Sequence, residues 1–144
     1  MKISTLVLAA GAALLASVPA HAQAELIATQ LAQVDSMLTS QGMTVVGEAV
    51  NGTLGAGQDE EFPLQLHGGQ RYMIVGVCDG GCSDLDLTLT DAGGRKVAED
   101  TALDDVPLLT VTGVDGTFTV KVDMVTCTTG QCHFGVRVLQ GAEQ

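Results

Sequence analysis

Two periodicities divide the chain. From Glu25 to Gln41, Ile27, Leu31, Val34 and Leu38 recur at helical spacing, with Gln30, Gln33, Asp35 and Ser36 on the remaining surface. One apolar stripe of this kind predicts an amphipathic helix, and Gly42 is a natural stop. The stripe is short, so the expectation is a helix or linker over residues 23–42 that docks loosely, ahead of a helix for oligomerisation or a partner.

Beyond Gly42 the period falls to two. "MTVVGEAV" predicts a strand, and "NGTLGAGQDEE" a turn-rich connection. "FPLQL" and "QRYMIVGVC" follow on either side of His67-Gly68-Gly69. In "LDLTLTD", Leu85, Leu87 and Leu89 alternate with Asp86, Thr88 and Thr90, the pattern of a half-buried strand. "RKVAED", "PLLTVTG", "TFTVKVDMVTC" and "CHFGVRVLQG" complete the series, and Asp115-Gly116 reads as a hairpin turn. About eight short strands at near-regular spacing predict an all-β protein, an antiparallel β-sandwich of jelly-roll type over residues 43–144, with a barrel as the other closure. The chain has no Trp, one Tyr and three Phe, so Leu, Val and Ile must build the core.

The first residues have a different character. Lys2, an apolar run from Ile3 to Val18, Pro19 and the small-residue ending Ala20-His21-Ala22 have the three-part layout of a secretory signal peptide over residues 1–22, cleaved after Ala22 or Ala24. The run is shorter than the roughly 20 residues a membrane span needs. The expected product is therefore exported, periplasmic or secreted, without a stable membrane anchor. Removing Lys2 with the leader leaves five Lys and Arg against 17 Asp and Glu, a net charge of −12. Such a surface disfavours nucleic acid and anionic lipid, and favours cationic partners, divalent metals or simple solubility.

All four cysteines, Cys78, Cys82, Cys127 and Cys132, follow the leader. An even count in an exported small domain reads as disulfides. Pairing 78 with 82 and 127 with 132 is favoured because each pair brackets a short Gly-containing turn, and such bridges would hold loop shape; the other connectivities stay open. Four thiolates on zinc is the competing arrangement. The spacing is wrong for a Cys-x-x-Cys redox motif, and "CTTGQCH" is too long for a c-type haem site, which leaves His133 as an outward strand residue.

The aspartates carry the metal question. Asp84 and Asp86 share a strand face, Asp91 opens the next turn, and Asp100, Asp104 and Asp105 lie in the loop beyond "RKVAED". If that loop folds back, Asp84, Asp86, Asp91, Asp104 and Asp105 form an oxygen-rich set suited to calcium. Turn chemistry explains each of them separately, and is the stronger account. Asn51-Gly52-Thr53 matches a glycosylation sequon, but Asn-Gly is more simply a turn.

"FPLQLHGGQRYMIVGV", "SDLDLTLTDAGGRKVAED" and "VDGTFTVKVDMV…FGVRVL" follow one another in the order of a known family. Over roughly residues 45–140 the chain resembles the bacterial pre-peptidase C-terminal domain, a β-sandwich similar to collagenase collagen-binding domains. The resemblance implies a non-catalytic accessory or binding module. The two cysteine pairs depart from that family's pattern, and no peptidase is attached. No Gly-x-Ser-x-Gly, His-Glu-x-x-His or Walker-type loop occurs, so an uncharacterised hydrolase is the weakest reading. The expectation is an exported binding or accessory module whose partner is a protein or a cell-envelope polymer, with a calcium-stabilised structural sandwich as the alternative.

Overall fold

The computed structural model describes residues 18–142. The expected leader over residues 1–22 falls mostly outside that range. One helix, α1 (Ala20–Thr39), precedes nine strands: β1 (Thr44–Val45), β2 (Val50–Leu54), β3 (Gln58–Leu66), β4 (Gln70–Cys78), β5 (Cys82–Thr90), β6 (Lys96–Asp100), β7 (Leu108–Thr112), β8 (Gly116–Cys127) and β9 (Cys132–Ala142). They form two antiparallel sheets. The first runs β1-β9-β4-β7, with β2 also paired to β9, and the second runs β3-β8-β5-β6. From β2 onward this is the strand order of a jelly roll, the closure expected from the period-two pattern.

Three local expectations need correction. The stretch expected to be one strand at "MTVVGEAV" holds β1 and, past a bend at Gly47 where φ is 63°, only the first residue of β2, which continues into the expected turn-rich connection; both strands pair with β9. Asn51-Gly52 is not a turn but the middle of β2, opposite Gly135 and Phe134. Gly52 is required there by packing, since a Cβ would stand 2.7 Å from the Phe134 ring. Asp115-Gly116 does not close a hairpin, because β7 pairs with β4 whereas β8 pairs with β3 and β5. The turn carries the chain from one sheet to the other. Among the described residues, only β5 and β6 are consecutive strands that pair across a short turn.

Between the sheets lies the expected aliphatic interior. Leu85, Leu87 and Leu89 of β5, and Val120, Val122 and Met124 of β8, are all fully buried. Tyr72 is buried with them, and its hydroxyl accepts the His67 backbone N–H at 3.1 Å, which satisfies its one polar atom.

A second apolar layer covers the outer face of the first sheet. Ile27, Leu31, Val34 and Leu38 pack on Val75, Val77 and Leu139, so α1 is firmly docked rather than a loose linker. The helix closes in a Schellman arrangement. Gly42 N–H donates to the Thr39 carbonyl and Met43 N–H to the Leu38 carbonyl, with Gly42 left-handed at φ 86°. Leu38 and Met43 both join the apolar layer, which aims the chain into β1. The first buried side chain of the helix is Ile27, so cleavage after Ala22 or Ala24 would leave this packing intact.

Candidate functional site

Beside α1 the outer face of the first sheet is left partly open. A groove of about 580 Å³ runs between the N-terminal half of the helix and strands β2 and β9. Ile27, Ala28 and Leu31 supply one wall, and Asn51 and Thr53 of β2 with His133 and Arg137 of β9 supply the other. An apolar concavity of this size with a few convergent polar groups is the usual form of a binding site.

The groove depends on one glycine. A Cβ on Gly135 would lie 2.7 Å from Ile27 Cγ2 and 2.9 Å from Leu31 Cδ1. Without a side chain at that position, helix and sheet approach closely, and the concavity forms at the border of the contact. An ion pair fixes the same interface: Arg137 Nη2 donates to Asp35 Oδ2 at 2.8 Å, with both side chains largely buried. Arg137 Nε is buried without a partner. The guanidinium, which also lines the groove, thus retains donor capacity.

His133 is held by Asp79, which is only 3% exposed. Asp79 Oδ1 accepts the Gly81 N–H at 3.0 Å, while Oδ2 accepts the His133 N–H at 2.7 Å and lies 3.3 Å from His133 Nδ1. With two backbone donors on its oxygens, Asp79 is first a structural anchor that ties the β4–β5 turn to the start of β9. Thr53 stands opposite His133 in the β2–β9 register, but among the described residues its hydroxyl makes no hydrogen bond to the imidazole. Thr53 and His133 are therefore not joined as a nucleophile–base pair.

Both bridges form locally, Cys78 with Cys82 and Cys127 with Cys132. Their role is larger than holding loop shape. Cys78 and Cys132 belong to the first sheet, Cys82 and Cys127 to the second, so each bridge clips one sheet to the other. Cys82 faces Cys127 in the β5–β8 register, which places the two clips side by side. Two such bridges assign the folded chain to an oxidising compartment. No described helix is long and apolar enough to cross a membrane.

The five aspartates considered for calcium separate. Asp91 caps the β5–β6 turn, where Oδ1 accepts the Gly93 and Arg95 N–H groups at 3.0 and 2.9 Å. The Arg95 backbone bond is the main reason its carboxyl lies below the ordinary value near 3.8. Asp105 is exposed in the β6–β7 loop. Burial is the first cause that raises the Asp86 carboxyl, and the charges of Asp84, Asp123, Asp100 and Asp104 add to it. Irregularities on both sides of Asp84 in the β5–β8 register set it apart from Asp86, and Asp84 is buried where Asp86 is half-buried. Among the described residues no three His, Cys, Asp or Glu side chains are grouped as a metal centre.

Sequence reasoning missed Asp79, Arg137 and the groove itself. Asp79-Gly80-Gly81 between two cysteines was a legible turn signal. The partnership of Asp35 with Arg137 spans more than a hundred residues and has no local signature. No family model matches the chain, and no curated protein matches it.

Proposed function

We propose that this chain is a non-catalytic binding module of an extracytoplasmic compartment, exported by its leader, and that the groove beside α1 takes an extended segment of a partner protein. The observation that carries this reading is the apolar concavity itself, bordered by β2, an edge strand that among the described residues pairs only with β9. An edge strand offers backbone N–H and C=O groups to an added strand, while an adjoining apolar groove receives its side chains. Arg137, Asn51 and Thr53 line the groove with the polar groups that would fix orientation. The net charge of −12 after leader removal favours basic residues flanking the bound segment. The resemblance to the pre-peptidase C-terminal domain supports the same class of function, as does the jelly-roll order.

The test is selection of random twelve-residue peptides on the processed, disulfide-bonded protein, compared with Ala28→Trp. Ala28 is exposed on the groove wall, so the indole fills the groove without disturbing the buried stripe. Enriched peptides with alternating apolar positions and basic flanks, lost on Ala28→Trp, are expected. Peptides enriched equally by both proteins, or no enrichment, would overturn the assignment of the groove.

A further inference from the structure

The first sheet has two edges of different character. β1 and β2 close it beside the groove, and β7 closes it on the opposite side, paired among the described residues only with β4. Gly76 N–H donates to the Pro107 carbonyl at 2.9 Å, and Gly113 N–H to the Gln70 carbonyl at 2.7 Å. Pro107, Leu109, Val111 and Gly113 therefore face β4, and strand alternation turns the backbone of Leu108, Thr110 and Thr112 outward. The Leu108 N–H is taken by Asp100 Oδ2 at 2.9 Å. Thr110 and Thr112 are left with N–H and C=O groups directed at solvent, and their side chains are exposed.

Open edges invite pairing, and folded chains commonly blunt them with charge or proline. The second sheet does so: β3 carries Asp59, Glu60, Glu61 and Pro63, and β6 carries Lys96, Glu99 and Asp100. β7 reads Leu-Leu-Thr-Val-Thr, with neither an ionisable side chain nor a proline. Two apolar side chains stand free at its ends, Leu108 at 42% exposed and Val114 at 66%. On a chain of net charge −12 after leader removal, β7 is a line along which two copies meet without setting carboxylates against each other.

We propose that β7 is a homodimer edge, on which a second copy of this chain adds its own β7, antiparallel, across a two-fold axis at Val111. Thr110 then lies opposite the second copy's Thr112, and the two exchange N–H and C=O as the closely spaced pair of an antiparallel ladder. Leu108 comes beside the second copy's Val114, so the exposed apolar side chains cover one another. A register shifted by one residue would present groups of Val111 that β4 already uses. A register with Thr110 opposite Thr110 would call on the Leu108 N–H that Asp100 holds. Self-complementarity in one register is what a two-fold contact requires, and the pair closes on itself. β7 lies at the opposite edge from the groove, so the proposal stands independently of the binding reading.

Sedimentation equilibrium of the processed, disulfide-bonded protein at pH 7 tests the dimer. One strand pair is a small interface, so the expected Kd is on the order of 10⁻⁵ to 10⁻⁴ M, tightening as salt screens the like net charges. Thr110→Pro removes an outward N–H that β4 does not use, and should weaken association about tenfold or more. Val97→Lys, on the charged edge β6, should leave it unchanged. Amide exchange on the unsubstituted protein gives a second readout, and covers Thr110→Pro should that variant fold poorly. Protection of the Thr110 and Thr112 amides is expected to rise with protein concentration, while protection along β2 and β6 stays constant. A monomer throughout, association that a folded Thr110→Pro leaves intact, or concentration-dependent protection on β2 or β6 in place of β7 overturns the proposal. So does growth past the dimer, since a two-fold β7 contact uses up its own edge.

Discussion

The outer faces of the two sheets solve the same problem in opposite ways. On the first sheet Val75, Val77 and Leu139 point away from the sandwich core, and α1 covers them. On the second, β8 and β3 present Lys121, Asp123, Asp59 and Glu61, a polar surface that needs no cover. A sheet with apolar residues on both faces must recruit another element, whereas one with a charged outer face can meet water directly. The helix is therefore an integral layer of the fold. Because it covers the outer face incompletely, the border of its contact becomes the groove. The second sheet keeps its solvent face, and with it the crowding of carboxylates.

The comparison breaks most sharply at the helix stripe. Leu31→Ala should cost about 3 kcal/mol in chemical denaturation, the usual loss for a buried Leu with an unfilled cavity. Thr119→Ala on the half-exposed β8 of the second sheet should change stability by less than about 0.5 kcal/mol. Equal costs would mean that the helix contributes little. Next in size is Gly135→Ala, which crowds Ile27 and Leu31 and should cost about 2 kcal/mol. Amide exchange should speed up in α1 and leave β5 and β8 unchanged. A loss spread over both sheets would assign Gly135 a role in the core instead.

The Asp35–Arg137 pair should contribute less, about 1 kcal/mol or under in a double-mutant cycle, because neither side chain is fully withdrawn from water. The smallest effects belong to the acidic face and have opposite signs. The raised Asp86 carboxyl means that the folded state holds its proton more tightly than the unfolded chain, whose value is near 3.8. Its favourable contribution is thus present in acid and fades as pH rises through the raised value. Asp86→Asn should stabilise the protein slightly at pH 7 and flatten that dependence. The lowered Asp91 carboxyl contributes above about pH 3.8 and loses its effect as pH falls, so Asp91→Asn should destabilise at pH 7. Unfolding midpoints measured from pH 3 to 8 on both variants check the two signs.

Much of the architecture was legible because its signals are local. Strict alternation at Leu85-Leu87-Leu89 marked a one-sided strand, and the four-residue stripe from Ile27 to Leu38 marked the helix. Turn chemistry placed the corners near Gly69, Asp115 and Gly130. It could not say which sheet each turn leads into, because pairing is a long-range choice; Asp115-Gly116 has hairpin chemistry yet joins two sheets. Asn51-Gly52 misled for a related reason. Its glycine answers to the Phe134 ring more than eighty residues away, not to a turn. The docking of α1 was underestimated because Val75 and Val77 sit in an almost continuous apolar run, where a second buried face looks like a stronger first one. The binding groove was invisible in sequence, being assembled from α1, β2 and β9 through a contact that Gly135 permits.

The claim on which the binding reading rests is that α1 is a docked layer of the mature protein. Residue-resolved amide hydrogen exchange on protein beginning at Glu25 tests it most directly. The account predicts that amides from Leu31 to Leu38 are protected to a degree comparable with the central strands β4 and β9, and are released together with them on global unfolding. Exchange of the helix at the rate of a free peptide, while β4 and β9 stay protected, would contradict it and remove the groove along with the layer.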